Sequence, residues 1–156
     1  MKLAEALAER ADATRRVEQL RTRAVSSARY QEGETPPEDS ARLLAEANDV
    51  LDTLESLIRR INRTNATVLI GEDGTITDAL ARRDVLRLRH SVITAAADAA
   101  VGRDQRGIAR QLRSELIMLS ALPVAELRAQ ADVLARELRE LDMRIQRANW
   151  EADLLD

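Results

Sequence analysis

The sequence has no cysteine and no phenylalanine, and its 156 residues include one tryptophan, one tyrosine and one histidine. Without cysteine there are no disulfides, thiolate metal centres or cysteine nucleophiles. Aromatic side chains bury the most area per residue, so their scarcity predicts a core of thin Leu, Ile, Val and Ala seams. Five glycines and three prolines leave few places to turn. Lys2 is the only lysine, and every other cationic side chain apart from the single histidine is arginine. The formal charge of −3 provides no global field to draw the chain onto nucleic acid or an anionic membrane. No apolar run approaches a membrane span. Glu5 interrupts the N-terminus where a secretory leader needs an apolar core, so the reading is cytoplasmic.

A charged fraction of 33% beside 45% hydrophobic residues suits long amphipathic helices in a single domain, 1–156. One long seam runs from Pro123 to Trp150. There Leu127, Ala131, Leu134, Leu138, Leu141, Ile145 and Ala148 alternate by four and three, a heptad seam that needs a partner along its length. A second helix spans 36–65, where Leu44, Ala47, Leu51, Leu54, Ile58 and Ile61 form one seam. Leu43, Val50 and Leu57 add a third column, a face wide enough for more than one neighbour. Thr35 or, alternatively, Asp39 or Ser40 caps its start. Residues 2–29 form a first helix with Leu3, Leu7, Val17, Leu20 and Ala24 on one stripe. Residues 78–101 form a third, capped by Thr75 or Thr77. It carries one seam of Ala81, Val85, Leu88, Val92, Ala95 and Ala99, and a second column of Leu86, Ile93 and Ala100.

Between the second and third helices, Thr67-Val68-Leu69-Ile70, Gly71-Glu72-Asp73-Gly74 and Thr75-Ile76-Thr77 read as strand, turn and strand. Residues 115–121 read as a further strand before Pro123, one that would pair with the hairpin of another protomer. The expected fold class is therefore mainly α: long antiparallel helices, as a four-helix bundle or coiled-coil hairpins, with a small β-hairpin or short sheet.

No motif assigns an activity. His90 lacks the Glu three residues before it that a carboxylate–histidine metal site would offer, since position 87 is arginine. Asp73 and Glu72 lack calcium-loop spacing, and Gly71-Glu72-Asp73-Gly74 lacks the Lys-Ser/Thr of a phosphate loop. No catalytic residue, metal ligand or cofactor is expected. Arg82, Arg83, Arg87, Arg89, Arg103, Arg106, Arg110 and Arg113 crowd one stretch, with only Asp84, Asp98 and Asp104 among them. Arg103, Arg106, Arg110 and Arg113 are candidate phosphate contacts. The alternative is that the cluster pairs with acids of another helix, such as Glu126, Glu137, Glu140 and Asp142. Asn62, Asn65, Asp78, Arg82, Arg83 and Asp84 gather at helix ends around the expected hairpin, as a candidate ligand or interface cluster. Asn65 alone would serve as a helix cap or a register-setting polar residue.

Several segments resemble an uncharacterised bacterial family of small helical proteins often labelled septicolysin. They are Lys2-Leu3-Ala4-Glu5-Ala6-Leu7, Ile61-Asn62-Arg63-Thr64-Asn65, Thr77-Asp78-Ala79-Leu80-Ala81-Arg82-Arg83-Asp84 and Arg139-Glu140-Leu141-Asp142 with Asn149-Trp150. The resemblance implies a mostly helical soluble protein with no assigned activity. The label suggests a cytolysin, yet no membrane-inserting hairpin or extended amphipathic strand is present. Three readings follow. The first is a self-associating helical scaffold or protein–protein interaction protein whose partner is itself, as a dimer or larger homo-oligomer. The second is a nucleic-acid or phosphate-ligand binder through Arg82–Arg113, and the third an enzyme using the polar cluster.

Overall fold

The computed structural model describes residues 1–102 and 116–156. Four α-helices follow in chain order: α1 (Leu3–Ser26), α2 (Ser40–Thr67), α3 (Ile76–Ala100) and α4 (Val124–Glu151). Each lies within a few residues of the expected range, because the apolar period of each is long enough to leave no alternative. No strand is present among the described residues.

The expected hairpin at 67–77 is the main correction. α2 continues through Thr67, and α3 already begins at Ile76. Between them Gly71–Asp73 form a single 3-10 turn, closed by the Ile70 N–H donating to the Gly74 carbonyl at 2.8 Å. The Thr75 hydroxyl accepts from the Asp78 N–H at 3.2 Å, while the Asp78 carboxylate accepts from the Thr75 N–H at 2.9 Å. This reciprocal cap starts the helix at the point where a return strand would have run. Gly74 has φ +79, and a Cβ there would sit 2.7 Å from the folded-back Asp78 Oδ2. The second expected strand is also absent: residues 116–121 are irregular, while position 115 lies outside the described residues. The idea that these strands pair between protomers falls with them.

By its contacts the chain divides into two compact units. One is Met1–Leu69 with Arg147–Asp156, and the other is Ile70–Gln146. In the first, α1 and α2 form an antiparallel hairpin around Leu20, Ala24 and Leu43, with Ala47 and Val50 packed against them. Arg16 pairs with Glu46, and Arg23 pairs with Glu38. Asp39, the second of the alternative caps, accepts from the Ala41 and Arg42 N–H groups at 3.0 and 3.2 Å. Residues 152–156 complete this unit. Leu3 N–H donates to the Ala152 carbonyl and Leu154 N–H to the Met1 carbonyl, both at 3.0 Å. Lys2 Nζ lies 2.8 Å from the Asp153 carboxylate, and that hydrogen-bonded charge holds the Asp153 carboxyl below the usual range. Thr64 is fully buried, and its hydroxyl accepts from the Leu155 N–H at 3.0 Å.

In the second unit the first turns of α3 pair with the later part of α4 and the end of α3 with the start of α4, so the helices are antiparallel. Arg83 and Arg87 meet Asp142, Arg82 meets Glu137, and Asp98 meets Arg128. Ile76, Ala79, Leu86 and Ala97 of α3 are buried, as are Leu134, Leu141 and Ile145 of α4. The α4 seam thus faces inward as its heptads require.

Candidate functional site

α3 carries apolar residues on two opposite faces. At 100° per residue, Ala79, Leu86, Ile93 and Ala97 lie on one side, and Ala81, Val85, Leu88, Val92, Ala95 and Ala99 lie on the other. The first set is buried or half-buried. The second is exposed throughout, with Val85 at 52% and Leu88 and Val92 each at 67%. The regular alternating seam therefore points to solvent, and the sparser column fills the core. α2 repeats the arrangement in the first unit. Leu43, Leu57 and Ile61 are buried, whereas Leu44, Leu51 and Ile58, spaced by seven, are exposed. A run of four large apolar side chains, Leu116, Ile117, Met118 and Leu119, is exposed as well.

The strongest electrostatic feature is Asp73, at the end of the 3-10 turn. Its side chain is only 3% exposed. Arg82 Nη1 of α3 donates to one carboxylate oxygen at 2.5 Å, and Arg144 Nε of α4 donates to the other at 2.8 Å. Burial by itself pushes the Asp73 carboxyl up. The two arginine hydrogen bonds outweigh it and hold the group below the ordinary carboxylate range. The carboxylate thus fastens the turn to both helices of its unit. It is a structural clamp with both oxygens occupied. In the sequence Asp73 shows only as a turn acid without calcium-loop spacing. The sole signal for it was the presence of arginines on both long helices.

The candidate cluster divides by position. Asp78 caps α3, and the Thr75 hydroxyl and backbone N–H bonded to it depress its carboxyl. Arg82 grips Asp73, and Arg83 sits 3.3 Å from Asp84. Asn62 and Asn65 lie in the last two turns of α2, in the other unit, with Asn62 exposed and Asn65 half-buried. Because α2 runs on to Thr67 with Val68 at its cap position, Asn65 is not the terminating residue. Arg103, Arg106, Arg110 and Arg113 lie outside the described residues. Of the remaining cluster, Arg82, Arg83 and Arg87 pair with Asp73, Glu137, Asp84 and Asp142. That is the pairing with acids of another helix, realised for Glu137 and Asp142.

Two of the surface grooves among the described residues differ sharply in character. One, of about 370 Å³, lies between α3 and α4 in the second unit and is almost wholly apolar, lined by Ile93, Ala129, Val133 and Leu134 with Arg89 and Gln130. The other, of about 540 Å³, lies in the first unit and sets Arg59, Arg60 and Arg63 against Asp52, Glu55 and Asp156. Three cations against three carboxylates leave it no excess charge for an anion. Among the described residues, no group of three His, Asp or Glu side chains is placed to hold a metal ion.

A family model described as a family of unknown function, DUF6847, matches residues 10–154. The chain belongs to the DUF6847 family. It is also similar to a solved structure, the crystal structure of a functionally unknown conserved protein from Corynebacterium diphtheriae. The two are 37% identical over 99% of each chain, with a TM-score of 0.89. No curated protein matches. The likeness to that solved structure agrees with the helical fold, and neither description names an activity. Among the described residues, no helix is long and apolar enough to cross a membrane.

Proposed function

We propose that the chain is a self-associating helical scaffold, a protein–protein interaction module whose first partner is itself. The observation that carries this reading is the outward seam of α3. Exposed Val85, Leu88 and Val92, with Ala81 before and Ala95 and Ala99 after them, follow the three-four alternation of a helix pairing surface. Single exposed apolar residues are ordinary, but a contiguous stripe of them along a helix marks an association surface. The exposed column Leu44, Leu51 and Ile58 on α2 supports the same reading. The phosphate-binder alternative is weakened at Arg82, Arg83 and Arg87, whose guanidinium groups already meet carboxylates.

Light scattering coupled to size exclusion tests the reading across dilution, at low and high salt. The expected result is an oligomer that persists in salt, and that dissociates at least tenfold more readily in Leu88→Glu/Val92→Glu with helical circular dichroism unchanged. A monomer of the unmodified chain at all concentrations overturns it.

A further inference from the structure

Self-association leaves open which way two copies run, and the charges beside the α3 seam decide it. With Val85, Val92 and Ala99 at heptad position a, and Ala81, Leu88 and Ala95 at d, Arg82 and Arg89 fall at e. Asp84 and Asp98 fall at g. One border of the apolar stripe is therefore basic and the other acidic. In an antiparallel pair of these faces, e meets e and g meets g, so like charge faces like charge along each edge; Arg82 and Asp98 are already paired within the chain, with Asp73 and Arg128, which leaves Arg89 and Asp84 to decide the direction. In a parallel pair, g of one helix faces e of the next heptad on the other, which sets Asp84 against Arg89 twice over. Flanking charges of this kind choose orientation in helix pairs. The in-chain contacts of Asp84 are loose, to Arg83 at 3.3 Å and Arg87 at 4.0 Å, and its side chain stays 65% exposed.

We propose that a second copy of this chain docks on the outer face of α3 in a parallel two-fold pairing. Asp84 of each copy lies against Arg89 of the partner subunit, and Leu88 packs on its own counterpart. The inference rests on the self-association reading and names its surface and direction. The alanines at 81, 95 and 99 let the two helix axes approach closely along the ends of a stripe about 27 Å long, at ~1.5 Å per residue.

The absence of cysteine gives a direct test, since one introduced thiol has no intramolecular competitor. In a parallel pair every d position meets itself. Ala81→Cys and Ala95→Cys, at opposite ends of the stripe, should therefore each form a covalent homodimer under mild oxidation. Ala11→Cys on the exposed side of α1 serves as the collision control. Asp84→Arg should weaken association about threefold to tenfold at low salt, and Asp84→Arg/Arg89→Asp should restore it. If the oligomer persists but Ala81→Cys or Ala95→Cys links no faster than the control, the parallel docking is overturned and self-association stands. Selective cross-linking of Ala81→Cys to Ala99→Cys in a mixture indicates the antiparallel arrangement, in which d meets a, and likewise overturns it. A monomer in every condition removes both.

Discussion

The two units hold their helices together by different means. In the first, α1 and α2 meet through an apolar cluster of Leu20, Ala24 and Leu43, while the ion pairs from α1 to α2 and to the loop before it, Arg16–Glu46 and Arg23–Glu38, sit half in water. Pairs of that kind are screened and contribute little. In the second, a carboxylate has been taken almost wholly out of water and depends on two guanidinium groups from two helices. The same residue types thus serve as surface ornament in one unit and as a structural requirement in the other. The difference lies in the solvent around Asp73, since a buried charge that loses a partner has no water to replace it.

Breaking the apolar cluster should have the largest effect. Leu20→Ala, at a fully buried position, should lower the unfolding free energy by about 2–5 kcal/mol in urea titration. Next, Arg144→Met leaves the Asp73 carboxylate with Arg82 alone and should lower it by about 1–3 kcal/mol. A loss below ~0.5 kcal/mol would show that the clamp resembles an ordinary surface pair. Gly74→Ala should follow at about 1–2 kcal/mol, because a left-handed φ and the close Asp78 carboxylate oppose a Cβ. Arg23→Ala should lie below ~1 kcal/mol.

Acid sharpens the contrast. Asp73 has a folded-state pKa below its unfolded value, so its contribution is fully present above the ordinary carboxylate pKa of about 3.9. It is lost as pH falls through the lower folded value. Acid unfolding followed by circular dichroism should therefore be shallower in Arg144→Met than in the unmodified chain. Equal slopes would separate Asp73 from acid stability.

The helices were legible because each presents several turns of unbroken period. The link between α2 and α3 was not, because Thr67-Val68-Leu69-Ile70 has strand-like composition over only four residues. Continuation of α2 and the Thr75–Asp78 cap both override that local preference. Periodicity also found both apolar stripes of α3 without revealing which faces inward. A column of Leu86, Ile93 and Ala100 looks weaker on paper than Val85, Leu88 and Val92, yet the weaker one turns inward, with Leu86 buried and Ile93 and Ala100 half-buried, because facing residues on α4 decide the matter. Asp73 could not be told from Glu72 beside it, since the arginines that grip it are distant in sequence.

The backbone pairing of Lys2 with Asp153 has a consequence for synthesis. The second unit is a single continuous stretch, complete once Gln146 has been made, whereas the first needs residues from both extremes of the chain. As the chain leaves the ribosome, α1 and α2 can pair early, but Leu3, Arg60 and Thr64 wait for Ala152 and Leu155. The unit begun first is therefore the last to be finished. A stop codon in place of Ala152 should leave the Leu3 amide open to hydrogen exchange while α3 remains protected.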